Sequence, residues 1–107
     1  MADSPPPLDG SGWYQRAQAA REANDYPAAH EALKMAEQLE FSPVRISFER
    51  ARVHTLAADH DLAIAELEAI AATGFTGVGF IVNDPILGTL EGDERYEAIV
   101  ATMSRSA

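Results

Sequence analysis

Residues 13–41, WYQRAQAAREANDYPAAHEALKMAEQLEF, are followed by 47–75, SFERARVHTLAADHDLAIAELEAIAATGF, and the second stretch restates the first at a fixed offset, position 47 answering to position 13. Laid over one another they match at Arg16/Arg50, Ala17/Ala51, Ala23/Ala57, Asp25/Asp59, Ala29/Ala63, Leu33/Leu67 and Phe41/Phe75. A fixed period of this length, in a chain rich in alanine and poor in β-branched residues, predicts stacked helix hairpins. Alanine loses no side-chain entropy on entering a helix, and two helices approach closely where both present small side chains.

Working outward from the repeat, each hairpin carries its own punctuation. Ser11 is the predicted N-cap of a first helix running to about Ala23. Asn24-Asp25 breaks that helix, Asp25 caps the next, and Pro27 falls in its first turn, where a missing N–H costs little. Ala29, Leu33, Ala36 and Leu39 are spaced as one face of the second helix. Ser42-Pro43 opens a third helix to about Ala57, and Asp59 caps a fourth with a stripe of Leu62, Ala63, Leu67 and Ile70. Gly74 ends it. Residues 76–82 read as a packed connector without helical period. A short helix is predicted from Asn83-Asp84-Pro85 to about Leu90, and a last one from Glu94 to about Met103 with Tyr96, Ile99, Val100 and Met103 on one face. The expectation is an all-α fold of about six helices without a sheet. Its organisation reads as a flexible Pro-rich segment over 1–10, two repeats over 11–42 and 43–75, and a connector with a capping helix pair over 76–107.

Those repeated positions carry a resemblance to tetratricopeptide repeat (TPR) proteins, whose unit is a 34-residue helix–turn–helix. Trp13 stands at the family's early aromatic place, Ala17 and Ala51 at the first small position, Ala29 and Ala63 at the second. Asn24-Asp25-Tyr26 looks like the family's Gly-Asp-Tyr turn, and Ala58-Asp59-His60 is its weaker copy. Leu33 and Leu67 match the apolar ridge of the second helix. Ser47 replaces the aromatic in the second copy, and the closing proline is missing at Phe41 and Phe75. The run from Asp84-Pro85 through Leu87, Leu90, Gly92-Asp93 and Arg95-Tyr96 to Ile99 looks like the tail that often closes such arrays in bacterial proteins. The resemblance implies a right-handed superhelix of antiparallel helix hairpins that binds other molecules rather than transforming them.

Charge narrows the partners. The chain of 107 residues carries a formal net charge of −9, which argues against nucleic acid and against an anionic membrane surface. No apolar run approaches the ~20 residues that span a bilayer. With no cysteine there is no disulfide, thiolate metal site or Cys nucleophile. His30, His54 and His60 form no i, i+4 pair and no zinc motif, and His54 is read as a packing histidine. No catalytic constellation emerges, and no cofactor or metal is expected. A cytoplasmic setting is open, as is a periplasmic one if a signal peptide has been removed.

Five of the eight basic residues, Arg16, Arg21, Arg45, Arg50 and Arg52, fall in the first helices of the two hairpins. In a TPR-like stack those helices line the concave face. The resemblance therefore implies a locally basic groove of Tyr14, Gln18, Arg21, Arg45, Phe48, Arg52 and Thr55, suited to an acidic peptide or a free C-terminus. The competing reading pairs these arginines with Glu22, Glu49 and nearby acids on an ordinary solvated face. The family's carboxylate clamp of Lys and Asn is not matched, because Tyr14, Gln18 and Glu49 stand at those positions. The functional expectation is a non-catalytic module that binds a protein or peptide. An accessory domain of a larger enzyme, in a reading frame continuing past Ala107, and a homodimer are the alternatives.

Overall fold

The computed structural model describes residues 8–106. Among them the fold is all-α, built from α1 (Gly10–Glu22), α2 (Tyr26–Gln38), α3 (Pro43–Leu56), α4 (His60–Ala72), the single turn α5 (Gly79–Val82), a 3₁₀ turn at Leu87–Leu90, and α6 (Glu94–Ser106). The helices form two compact units, one reaching to Ile46 and the other beginning at Ser47. Residues 1–7, most of the expected Pro-rich segment, lie outside the described residues.

Acidic side chains set several helix starts. The first helix begins two residues earlier than Ser11 would allow, because Asp9 is its N-cap and accepts the Gly12 N–H on Oδ1 at 2.7 Å. A carboxylate there satisfies an orphan donor and also meets the positive end of the helix dipole, which a serine hydroxyl does less well. Asp25 accepts the Ala28 N–H at 3.2 Å, and Ser42 Oγ accepts that of Arg45 at 3.3 Å, both as the sequence predicts. Asp59 holds the equivalent position before α4 but makes no side-chain capping bond.

The 34-residue period is written in the backbone as well as in the residues. Helices α2, α4 and α6 begin at Tyr26, His60 and Glu94, each one full period after the last. The turn before each contains a left-handed residue at the same place: Asn24 (φ 62°), Ala58 (φ 62°) and Gly92 (φ 100°). A second left-handed series, Glu40 (φ 58°) and Gly74 (φ 84°), ends α2 and α4. The N–H groups of Asp25 and Asp59 reach back to the carbonyls of Ala20 and His54, both at 2.8 Å, so the two turns close alike. Ala58 is the one non-polar side chain in these left-handed sites, where a β-carbon crowds the following carbonyl. Ala58→Gly is expected to raise stability by about 0.5–1 kcal/mol in urea unfolding, relief of that crowding outweighing glycine's extra chain entropy; a loss would contradict it.

The third period departs in its first helix, not its second. Pro85 stands one period after Ala51, in the middle of what would be a helix. Proline has no N–H to give, and it pushes Asp84 away from helical dihedrals. The chain therefore forms α5, breaks, and resumes as the 3₁₀ turn. The Asp84 carboxylate fills the break by accepting the Ile86 and Leu87 N–H groups at 2.9 and 3.0 Å. This corrects the expectation of a packed connector without helix over 76–82 and a helix from residue 83 to about 90.

Each unit has its own core. In the first, α1 packs along α2 over Ala17, Ala32, Leu33, Ala36 and Ile46, with Trp13, Tyr14 and Phe41 against them. In the second, Ala51, Val53, Ala63, Ile64, Leu67, Ile70, Ile81, Leu87 and Met103 are buried. Two members of the predicted stripes lie outside, Leu39 and Leu62, while Ala32 and Ile64 lie within. Leu39 is past the last turn of α2 as its C-cap, and Leu62 is about 140° around α4 from Leu67 at 100° per residue.

Candidate interaction surface

The seven residues expected to line a groove have different fates. Tyr14, Gln18 and Arg21 are half-buried on α1, and Arg45 is exposed at the start of α3. Phe48 and Thr55, by contrast, are buried, so neither presents a side chain to a ligand. The reason lies in the repeat itself. Phe41 stacks on Tyr14 with ring centroids 5.0 Å apart, and Phe75 meets Phe48 edge-on at 5.6 Å. Both pairs join residues equivalent by the 34-residue shift, so the shared phenylalanine at each hairpin's end packs on the aromatic of its own first helix. Phe80 joins the second pair, 6.3 Å from Phe48 and 6.0 Å from Phe75. Thr55 is occupied internally too, its hydroxyl donating to the Ala51 carbonyl at 2.7 Å.

Arg52 is committed within its own unit. Its Nε donates to Asp84 Oδ2 at 2.7 Å and its Nη1 to Glu49 Oε1 at 3.0 Å. Glu49 is 0% exposed, so this guanidinium neutralises a carboxylate shut off from bulk solvent. Burial alone would raise the Asp84 carboxyl. The Leu87 N–H, the Arg52 guanidinium and the Ile86 N–H outweigh burial and hold it below its ordinary 3.8. Sequence offered half of this network, since Glu49 and Arg52 form an i, i+3 pair on one helix; the partner 32 residues on became visible only in the fold.

A second arginine is held by acids near α6. Arg95 Nη1 donates to Asp61 Oδ1 at 2.8 Å, and Nη2 to Asp93 Oδ2 at 2.9 Å. Asp93 also accepts the Arg95 N–H, and the Arg95 side-chain and backbone bonds together lower its carboxyl to about 2. Arg16 lies 5.2 Å over the ring of Trp13, which itself packs against the first core rather than standing open as a platform. His54 is half-buried, and desolvation lowers its pKa despite the nearby Asp59 charge, in keeping with its reading as a packing residue. Among the described residues no three His, Asp or Glu side chains are grouped to hold a metal ion, and no helix is long and apolar enough to cross a membrane.

The second unit also leaves some large apolar side chains exposed, two of them in α5. Phe80 is 66% exposed and Val82 43%, on either flank of the fully buried Ile81 in the single turn α5. Beside Phe80 is a shallow recess bordered by Arg52, Asn83 and Pro85. Beside Val82 is a second, of about 260 Å³, lined by Val82, Glu91, Tyr96, Glu97 and Val100. Sequence pointed to neither, because residues 76–82 show no period from which an inside and an outside face can be read. Compared with protein-family models, curated proteins and solved structures, the chain matches none.

Proposed function

We propose that the chain is a TPR-like helical-repeat module that binds a protein or peptide partner and carries out no chemistry of its own. The observation that supports it most is the recurrence of helix starts at Tyr26, His60 and Glu94, with left-handed residues at 24, 58 and 92. A helix–turn–helix unit repeated at this period is the unit by which TPR stacks build extended binding surfaces. Several polar side chains that sequence singled out, among them Asp25, Ser42, Arg52, Asp84 and Asp93, are engaged in caps and ion pairs, which supports a surface rather than reactive groups as the working part.

The acidic-peptide version of this function keeps Tyr14, Gln18, Arg21 and Arg45 as its candidates. It loses Phe48 and Thr55 to the core, and Arg52 to Glu49 and Asp84. The general reading is tested by selecting 15-residue peptides from a random library against the purified chain and measuring the winners by calorimetry. The expected result is sequence-selective, saturable binding with one site per chain and the peptide recovered intact. A library that yields no selective binder, or a peptide that is cleaved or modified, would overturn it.

A further inference from the structure

The recess beside Val82 has walls and charges of different kinds. Val82, Val100 and the ring of Tyr96 supply apolar walls, and Glu91 and Glu97 stand at the rim. At about 260 Å³ it is smaller than the ~300–1,000 Å³ typical of small-molecule sites, and of a size to take one long side chain. Among the described residues no basic side chain lines it. Arg52, in the Asp84 network, is already held by two carboxylates. Glu97 Oε2 accepts the Gly92 N–H at 3.2 Å in the left-handed turn before α6. The field of these acids is felt inside: burial first, then the charges of Glu97, Glu91 and Asp84, raise the pKa of the Tyr96 phenol.

We propose that this recess seats a lysine or arginine side chain of a peptide partner, its methylene stem against Val82, Tyr96 and Val100 and its cationic head between Glu91 and Glu97. Such side chains bury an aliphatic stem while keeping the charge at a polar rim, which is the division of surface found here. Charge complementarity selects the occupant: a protein of net charge −9 presents a recess of mixed, mainly polar lining whose ionised groups, among the described residues, are two carboxylates. Val82 is 43% exposed without such a side chain, an apolar surface that the stem would cover. The proposal rests on the interaction-module reading and names the partner chemistry for one of its surfaces.

The test uses the full chain and four fluorescein-labelled 15-residue Ala/Leu-rich peptides that differ at one central residue: lysine, arginine, norleucine or glutamate. Anisotropy is expected to show saturable binding of the lysine and arginine peptides. The norleucine peptide, with a similar stem and no charge, should bind about tenfold more weakly, as for the loss of two partly exposed ion pairs, and the glutamate peptide more weakly still. A Glu91→Gln/Glu97→Gln double variant should lose the same factor of about ten for the lysine peptide and nothing for norleucine. Val82→Ser should weaken both peptides, and Leu62→Ser, an exposed leucine outside the recess, neither. Unchanged melting temperatures in the carboxamide variant show that the fold is kept. In amide NMR the largest shifts should fall at Val82, Glu91, Tyr96 and Val100.

Lysine-peptide affinity unaffected by the carboxamide variant, or shifts centred on α1, would overturn this seat while leaving the interaction module standing. Absence of binding by both cationic peptides would also overturn it. In that case the library selection decides the broader reading by itself.

Discussion

Arg52→Ala is expected to lower the unfolding free energy by about 3–5 kcal/mol, the range for removing one partner of a buried ion pair. The arginine side chain is 19% exposed, and its two acceptors are 0% (Glu49) and 11% (Asp84) exposed. Truncation leaves the Glu49 carboxylate in the interior without this counter-charge and removes the cation from the break at Pro85. Against a total stability of roughly 5–15 kcal/mol for a domain of this kind, the loss is large. Equilibrium urea unfolding measures it, and a loss below about 1 kcal/mol would mean the network contributes no more than a surface pair. Replacing the three together by apolar residues, Arg52→Met, Glu49→Leu and Asp84→Leu, is expected to cost much less of the electrostatic part, since the Glu49 carboxylate is no longer left in the interior without this guanidinium. The same network has an acid limb. The folded-state pKa of Asp84 lies below its ordinary 3.8, so its stabilisation is fully present above that value and is lost as pH falls through the folded one. In Arg52→Ala this part of the acid dependence should flatten.

Leu33→Ala and Leu67→Ala are each expected to cost about 3–5 kcal/mol, the upper part of the range for buried leucine truncation. The two hold equivalent positions in the repeat, and both are 0% exposed. Leu33 shares its core with Ala17, Ala32, Ala36 and Ile46, so the other buried members on α1 and α2 are alanines, which have no longer side chain to swing into the space. A cavity that cannot collapse keeps its full penalty. Leu39 offers the contrast, because it belongs to the same predicted stripe yet is 49% exposed. Leu39→Ala should change urea stability by less than about 1 kcal/mol. A Leu39→Ala loss equal to that of Leu33→Ala would show that α2 buries a different face.

Much of this was legible because helix punctuation is local. Asp25 and Ser42-Pro43 act within three or four residues of themselves, and the capping bonds they make need no tertiary partner. The repeat located Ala17, Ala29, Leu33, Ala51, Ala63 and Leu67, all of which are buried. Failures came where a decision depended on distant residues or on competition between neighbours. Asp9 won the first cap over Ser11 because a carboxylate meets the dipole as well as the N–H. The break at Asp84-Pro85 was visible as a proline, but the turn of helix before it was not, since four residues are too few to show a period. The groove residues were assigned by placing every first helix on an open face. That rule has no means of knowing that Phe41 and Phe75 would come back to cover Tyr14 and bury Phe48. For Arg52 the competing reading, pairing with Glu49, is the one found, while its second acceptor Asp84 lies 32 residues on, and pairing across such a distance leaves no local signature.

The 34-residue recurrence carries both the fold and the proposed function, and backbone NMR of the full chain tests it most directly. Carbon secondary shifts, with the strong intraresidue HN–Hα contact that marks positive φ, report on every turn at once. The expected result is helical shifts beginning at Tyr26, His60 and Glu94, with positive φ at Asn24, Ala58 and Gly92 and an interruption at Asp84-Pro85. An unbroken helix through residues 79–90, or an ordinary negative φ at Ala58, would contradict it.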